Sequence, residues 1–154
     1  MIKKIYFGND HAAYEIKDQI ITHLKQKGYQ IIDEGAQAAL GSVDYSTYAL
    51  KVANDVVNDT KNDSIGILLC GTGIGMNIAA SKVHGTRVAL VYNESSAKLA
   101  KEHNNANIIT IGARENSLNQ ILKMIDDFLT SKFLGERHQK RLDIIAKYEK
   151  EQNS

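Results

Sequence analysis

Short apolar runs alternate with longer amphipathic stretches along almost the whole chain. Five runs have the length and composition of buried strands, at residues 2–7, 29–33, 64–70, 87–92 and 107–112. The stretches between them space their apolar residues as helices do, at 11–27, 45–58, 74–83, 95–102 and 116–131, and a last helix is predicted at 136–150. Because nearly continuous apolar strands belong to parallel sheets, this alternation predicts one parallel sheet with helices on both faces.

The predicted fold is a doubly wound, Rossmann-like α/β sandwich of three layers with an extra C-terminal helix. Five strands of this kind favour the order 2-1-3-4-5. The chain has 154 residues and no internal repeat, which is enough for one domain. We place this domain at residues 1–150 and expect a frayed tail at 151–154.

Composition excludes several classes of function. The formal net charge is +1, so no overall field favours nucleic acid or an anionic membrane as a partner. The apolar runs are too short to cross a bilayer, and the chain enters a strand-like run without a signal peptide. A single cysteine cannot form an internal disulfide and has no CxxC partner. These features predict a cytoplasmic protein.

Two loops of this fold are predicted to meet at one crevice. Ligands of open α/β sheets bind beyond the carboxyl ends of the strands where the winding reverses, here between strands 1 and 3. The loops that leave these strands read GNDHA, at 8–12, and CGTGIG, at 70–75. We therefore expect Asp10 and His11 to face Cys70 across the crevice.

The glycine-rich loop favours anion binding over dinucleotide binding. It lacks the GK[ST] ending of a Walker A motif, and its glycine spacing misses the NAD fingerprint. Its glycines leave backbone N–H groups unhindered at a helix start, which suits a phosphate or a developing oxyanion. A tight turn without a ligand is the alternative.

Cys70 lies at the end of an apolar strand. It is either a catalytic residue or simply a small apolar residue of the core. A thiol beside a helix N-terminus loses its proton more readily, and the thiolate is a competent base or nucleophile. Thr72 lies two residues further on, within reach of the sulfur or of a substrate.

Histidine and arginine residues supply the other candidates. For Asp10, the alternative to a functional role is the ordinary role of a helix N-cap. For His11, a purely structural role is less well supported. His103 ends a helix in the run EHNNANI, where capping of carbonyl groups is the alternative to catalysis. Arg137 and Arg141 lie one helical turn apart, which suits a phosphate, although a solvated charged face is the commoner meaning.

These motifs together resemble the ribose-5-phosphate isomerase B family, which includes the galactose-6-phosphate isomerase subunits. The matching segments are GNDHAAYEIK, SVDY, CGTGIGMNIAASKV, EHNNAN, IGAR and GERHQKR, in this order over about residues 2–145. The resemblance implies an aldose–ketose isomerase that acts on a small sugar phosphate and needs neither a cofactor nor a metal. Asn9 and Ser46 depart from the family pattern, which usually has serine and proline at these positions.

The resemblance implies that Cys70 is the proton acceptor and that His103 opens the furanose ring. Thr72 is predicted as a third catalytic residue. The substrate-binding positions that it implies are Asp10, His11, Gly71, Gly73, Ile74, Gly75, Asn104, Arg114, Arg137 and Arg141. Retention of Cys70, His11 and the arginine pair favours ribose 5-phosphate as the substrate, with a six-carbon phosphate such as allose or galactose 6-phosphate as the alternative.

The residue chemistry fits isomerisation independently. The reaction needs a base between C2 and C1, donors for the enediolate oxygens and a clamp for the phosphate. Cys70, the glycine-loop amides and the arginines supply one each. The competing hypotheses are a flavodoxin-like phosphate-binding module in which Cys70 is only packing, and a redox sensor, which the absence of a resolving cysteine weakens.

The predicted topology separates the candidates along the sheet. Crossover helices run antiparallel to the strands, so the helix that ends near Glu102 delivers His103 to the amino edge, whereas Cys70 lies at the carboxyl edge. Arg137 and the start of the last helix are expected near His103, and Arg114 near Cys70. We therefore predict a homodimer, alone or paired into a tetramer, in which one subunit completes the Cys70 crevice of the other.

Overall fold

The computed structural model of the protein describes residues 2, 4–38 and 41–152, which form a five-stranded parallel sheet between two layers of helices. The strands are β1 (Lys4–Asn9), β2 (Gln30–Asp33), β3 (Ser64–Cys70), β4 (Val88–Leu90) and β5 (Ile108–Gly112). The α-helices are α1 (Lys17–Gln26), α2 (Tyr45–Asn58), α3 (Ile74–Ala80), α4 (Glu94–Glu102), α5 (Leu118–Thr130) and α6 (Arg137–Gln152). The predicted fold class is confirmed, including the additional C-terminal helix.

Element boundaries differ from the predicted ones at both ends of the chain and also within it, where α3 ends three residues before the predicted 83 and β4 is three residues shorter than the predicted 87–92. β1 begins at Lys4 and not at residue 2, and Lys3 lies outside the described residues. The predicted first helix begins as a 3₁₀ helix, His11–Ile16, before α1. Residues 151 and 152, where a frayed tail was expected, continue α6; residues 153 and 154 lie outside the described part of the chain. Lys147 Nζ lies 4.0 Å from Glu151 Oε1, one turn along this helix.

The strand order is β2-β1-β3-β5-β4, so the last two strands exchange places relative to the predicted 2-1-3-4-5. β5 is buried along its whole length and pairs with both β3 and β4. β4 has only three residues, which are partly or fully exposed. The more apolar strand therefore takes the interior position and the shorter one takes the edge, as burial of apolar surface requires.

This exchange decides which helices share a face. A right-handed crossover from β4 back to β5 runs over the opposite face from the β3–β4 crossover. Consequently α4 packs with α1 and α5 on one face, while α2 and α3 cover the other. Among the described helices, none is both long enough and apolar enough to cross a membrane.

α2 lies close to the sheet because two strand residues beneath it have no side chain. A Cβ atom built on Gly66 would lie 2.9 Å from Val52 Cγ1 and 3.1 Å from Ile108 Cγ1. A Cβ atom on Gly8 would lie 3.0 Å from Val52 Cγ2. Val52 is fully buried, so its isopropyl group fills the space that the two glycines leave.

Gly66→Ala is expected to destabilise the protein by about 1–2 kcal/mol. Alanine lowers the entropy of the unfolded chain, which stabilises the fold, but the strain of the overpacked methyl group is larger. Urea denaturation measures this change. The matched control is Gly71→Ala, where the added Cβ would lie 3.5 Å from Arg114 Nη1, an ordinary contact. Equal denaturation midpoints for the two variants would contradict this account of α2 packing.

Candidate active site

The loops that follow β1 and β3 lie side by side, as the predicted switch point requires. The Asp10 N–H donates to the Leu69 carbonyl at 3.2 Å, which continues the β1–β3 pairing into the loop. The Asp10 carboxylate accepts from the Ala12 N–H at 2.9 Å and caps the 3₁₀ helix. Asn9, which departs from the family pattern, is fully buried and donates through Nδ2 to the Asp10 carbonyl at 2.9 Å. Buried polar contacts therefore fix the backbone that carries His11.

The glycine turn folds back onto the sulfur of Cys70. Cys70 is 4% exposed, and its Sγ accepts the Gly73 N–H at 3.2 Å. Gly73 has a φ of 80°, in the left-handed region that favours glycine. A Cβ at this position would also lie 2.7 Å from Leu90 Cδ1. The Ile74 N–H donates to Thr72 Oγ1 at 3.2 Å, so the side chain of Thr72 is fixed at the start of α3.

Arg114 lies beside this turn, on the carboxyl edge of the sheet, as predicted. Its N–H donates to the Gly71 carbonyl at 3.0 Å, and the Ala113 N–H donates to the Cys70 carbonyl at 2.8 Å. Its guanidinium group passes over Gly71, where an added Cβ would lie 3.5 Å from Nη1. An exposed cation is therefore next to unhindered backbone amides, which is an arrangement suited to an anion.

A segment that was not among the predicted site residues also reaches the crevice. The Val43 N–H donates to His11 Nδ1 at 3.1 Å, which leaves Nε2 of the neutral ring to carry the proton. The ring of Tyr45 lies against the start of α3, because a Cβ at Gly75 would be 2.7 Å from Tyr45 Cε1. The SVDY motif contains both residues and was the available signal for them.

His103 lies at the opposite edge of the sheet from Cys70. It is the C-cap of α4, and its N–H donates to the Leu99 carbonyl at 2.9 Å. β5 begins five residues later at Ile108, which pairs with Gly66, whereas Cys70 pairs with Gly112. At the usual rise of a strand, the levels of Gly66 and Cys70 are about 13 Å apart. The predicted separation of the two residues within one chain is confirmed.

The start of α6 joins His103 at this amino edge. The Leu134 N–H donates to the Glu102 carbonyl at 3.0 Å. The imidazole of His138 stacks on that of His103, with ring centroids 4.2 Å apart and planes 14° from parallel. The positive charges of Arg137 and Arg141 lower the pKa of His138. We call His103, Arg137, His138 and Arg141 the histidine–arginine cluster.

The predicted site residues thus fall into two groups. The crevice at the carboxyl edge holds Asp10, His11, Cys70, Gly71, Thr72, Gly73, Ile74, Gly75 and Arg114. The amino edge holds His103, Asn104, Arg137 and Arg141. His138, which was not selected as a site residue, belongs to the second group, and the basic run GERHQKR was its signal.

No group of three or more His, Cys, Asp or Glu side chains within the described ranges is placed to hold a metal ion. The chemistry available in the crevice is instead a thiol, backbone N–H donors and a guanidinium group. A thiol and amides of this kind suit proton transfer next to a carbonyl group whose oxygen gains negative charge.

Comparisons with known proteins place this arrangement among sugar isomerases. The model of the family described as Ribose/Galactose Isomerase matches residues 5–145. A ribose-5-phosphate isomerase B of Mycolicibacterium paratuberculosis is 45% identical over 148 residues, which cover 96% of this chain and 92% of that protein. The corresponding protein of Escherichia coli is 36% identical over 152 residues, covering 99% of this chain and all of that one.

Solved structures agree with the fold over almost the whole chain. Ribose-5-phosphate isomerase B of Mycoplasma genitalium, with bound ribulose-5-phosphate, superposes with a TM-score of 0.93 at 40% identity, covering 98% of this chain and 99% of that chain. The Clostridium thermocellum protein superposes with a TM-score of 0.89 at 42% identity, covering 96% and 98%.

Proposed function

Because the chain belongs to the ribose/galactose isomerase family, we propose that it interconverts ribose 5-phosphate and ribulose 5-phosphate through an enediolate. The observation that carries the proposal is the contact between Cys70 and the glycine turn, where the Gly73 N–H donates to Sγ at 3.2 Å. An oriented N–H group stabilises negative charge on the atom that it faces. A sulfur held in this way is suited to take a proton from carbon and return it to the neighbouring carbon.

Cys70 is proposed as the base that moves the proton between C2 and C1. Its burial excludes bulk water from the sulfur, which favours transfer between adjacent carbons over loss of the proton to solvent. The N–H groups of the glycine turn other than those of Gly73 and Ile74, together with the fixed hydroxyl of Thr72, would face the enediolate oxygens. The reaction then needs no cofactor, and none is proposed.

Two groups of hydrogen-bond donors are proposed to hold the phosphate. Arg114 lies next to the glycine turn in the same chain, and His11 presents an N–H through Nε2 when neutral. Arg137 and Arg141 supply two more guanidinium groups, which are exposed and lie one turn apart on α6. A phosphate dianion accepts from several such donors at once.

A second subunit is proposed to bring the histidine–arginine cluster to the crevice. Within one chain His103 and Cys70 lie at opposite edges of the sheet, too far apart to share one small sugar phosphate. On α6, Ile144 and Tyr148 continue the face of Arg137 and Arg141 at helical spacing and are 69% and 60% exposed. Pairing of two copies would cover these apolar side chains and place His103 of one copy over Cys70 of the other.

The competing hypotheses differ in what they require of Cys70. A phosphate-binding module leaves Cys70 as packing, and a redox sensor needs a resolving cysteine, whereas Cys70 is the only cysteine of the chain. A six-carbon sugar phosphate uses the same chemistry and is distinguished by comparing kcat/KM for ribose, allose and galactose 6-phosphates. A reducing compartment keeps a single thiol in its free form, which agrees with the proposed cytoplasmic location.

Cys70→Ala is expected to lower kcat by about two to four orders of magnitude, because a positioned base is lost while its space is nearly filled. The assay mixes purified protein with ribose 5-phosphate and EDTA and measures ribulose 5-phosphate. The control is Ala79→Ser on the neighbouring helix α3, which should leave kcat unchanged. Near-normal turnover of Cys70→Ala would assign Cys70 to packing, whereas an inactive wild-type protein would contradict the isomerase proposal itself.

His103→Asn is expected to impair reaction of cyclic ribose 5-phosphate at least tenfold more than C1 proton exchange of open-chain ribulose 5-phosphate. The reason is that His103 is proposed to move the proton that opens the furanose ring, whereas the exchange step depends on Cys70. Coupled assays measure the first reaction, and NMR in deuterated water measures the second. Equal losses in both assays would exclude the ring-opening role.

Mixing Cys70→Ala with His103→Ala is expected to restore activity toward about a quarter of wild type. If half of the dimers are mixed, each of these contains one intact site out of two. Subunit exchange is followed by mass spectrometry of differently labelled chains. Demonstrated exchange without recovery would mean that Cys70 and His103 act within one chain.

A further inference from the structure

We propose that His138 is a positioning residue for ring opening: its buried imidazole forms a flat platform that holds the ring of His103 in its working orientation. The inference rests on the proposed function, since it concerns the residue assigned to open the sugar ring. It assigns a role to a side chain that neither the predicted site nor the proposed reaction used.

The stack is what orients His103. The two imidazole planes are 14° from parallel with centroids 4.2 Å apart, which is close contact between aromatic faces. No hydrogen bond from the described residues holds the His103 ring; only its backbone N–H is bonded, to the Leu99 carbonyl. A ring at the end of a helix, free to rotate about its side-chain bonds, therefore gains its fixed plane from His138.

His138 itself is firmly anchored. It is 5% exposed and is the one buried residue of α6, whose other side chains are partly or fully exposed. Its N–H donates to the Gly135 carbonyl at 3.0 Å, and the adjoining segment is bonded to the end of α4 through Leu134 and Glu102. The helix that presents the arginines to a phosphate is thus attached to the chain at the point where it supports His103.

Packing alone does not explain an imidazole at this position. Its Nε2 is buried and has no hydrogen-bond partner among the described residues. A buried polar atom without a partner costs free energy, which an aliphatic side chain of similar size would avoid. The imidazole of His138 therefore lowers the stability of the fold relative to an aliphatic side chain. The only aromatic ring that it faces in the described structure is that of His103.

The surroundings also favour the uncharged form of the His138 ring. Burial lowers the pKa of His138, the positive charges of His103, Arg137 and Arg141 lower it further, and Glu136 acts in the opposite direction. These influences favour the neutral ring of His138, whose flat face is the surface on which the His103 ring stacks.

The test compares His138→Phe with His138→Leu. Both variants fill the buried space with an apolar group, but only phenylalanine retains a flat face. We expect His138→Leu to lower kcat with cyclic ribose 5-phosphate by about tenfold or more, since loss of orientation is costly in proton transfer. His138→Phe should stay within about threefold of wild type, and C1 proton exchange of ribulose 5-phosphate should stay near wild type in both. Lys140→Ala, exposed on the same helix, is the control.

NMR of the His103 ring gives a readout that does not depend on activity. Its ring protons should show an aromatic ring-current shift in wild type and His138→Phe and lose it in His138→Leu. Equal kinetics for the two variants, a loss of both reactions in parallel, or an unchanged His103 shift in His138→Leu would each overturn the proposal. If the wild-type protein fails to isomerise ribose 5-phosphate, the proposed function fails, and the ring-current shift still decides whether His138 orients His103.

Discussion

The parallel pairing of β1 with β3 is the interaction on which the rest of the structure depends. The two strands pair from Lys4 with Ser64 to Asn9 with Leu69, at the centre of the sheet. Their chains leave in opposite directions, β1 toward α1 on one face and β3 toward α3 on the other. The crevice between them is therefore a consequence of chain connectivity. The hydrogen bond from the Asp10 N–H to the Leu69 carbonyl joins the two loops at its base.

The glycine turn determines the surroundings of Cys70 in this crevice. Gly73 adopts a left-handed conformation and approaches β5 closely, so that its N–H returns to Cys70 Sγ. A side chain at Gly73 would meet Leu90 at the end of β4, which shows that the outer strands also shape the turn. Strand order and site geometry are thus linked, because the interior position of β5 brings Arg114 beside Gly71.

The amino edge of the sheet carries the second group of candidate residues. α4 ends at His103, and the ring of His138 in the first turn of α6 stacks on the ring of His103. In the described part of the chain, one stripe of α6 is exposed, with Arg137 and Arg141 at one end and Ile144 and Tyr148 further along. In the proposed dimer the same helix would therefore bind the partner, supply charge for the phosphate and orient the ring-opening residue.

The sequence by itself determined the fold class, the β1–β3 crevice and the edge to which each candidate belongs, because alternating apolar runs and crossover direction are local and topological rules. Burial of whole strands against one another decided the order of β4 and β5, which periodicity does not encode. Contacts between distant segments decided the rest: Val43 with His11, Tyr45 with Gly75, and His138 with His103. No local pattern specifies such contacts, since each depends on how close packing brings separate elements together.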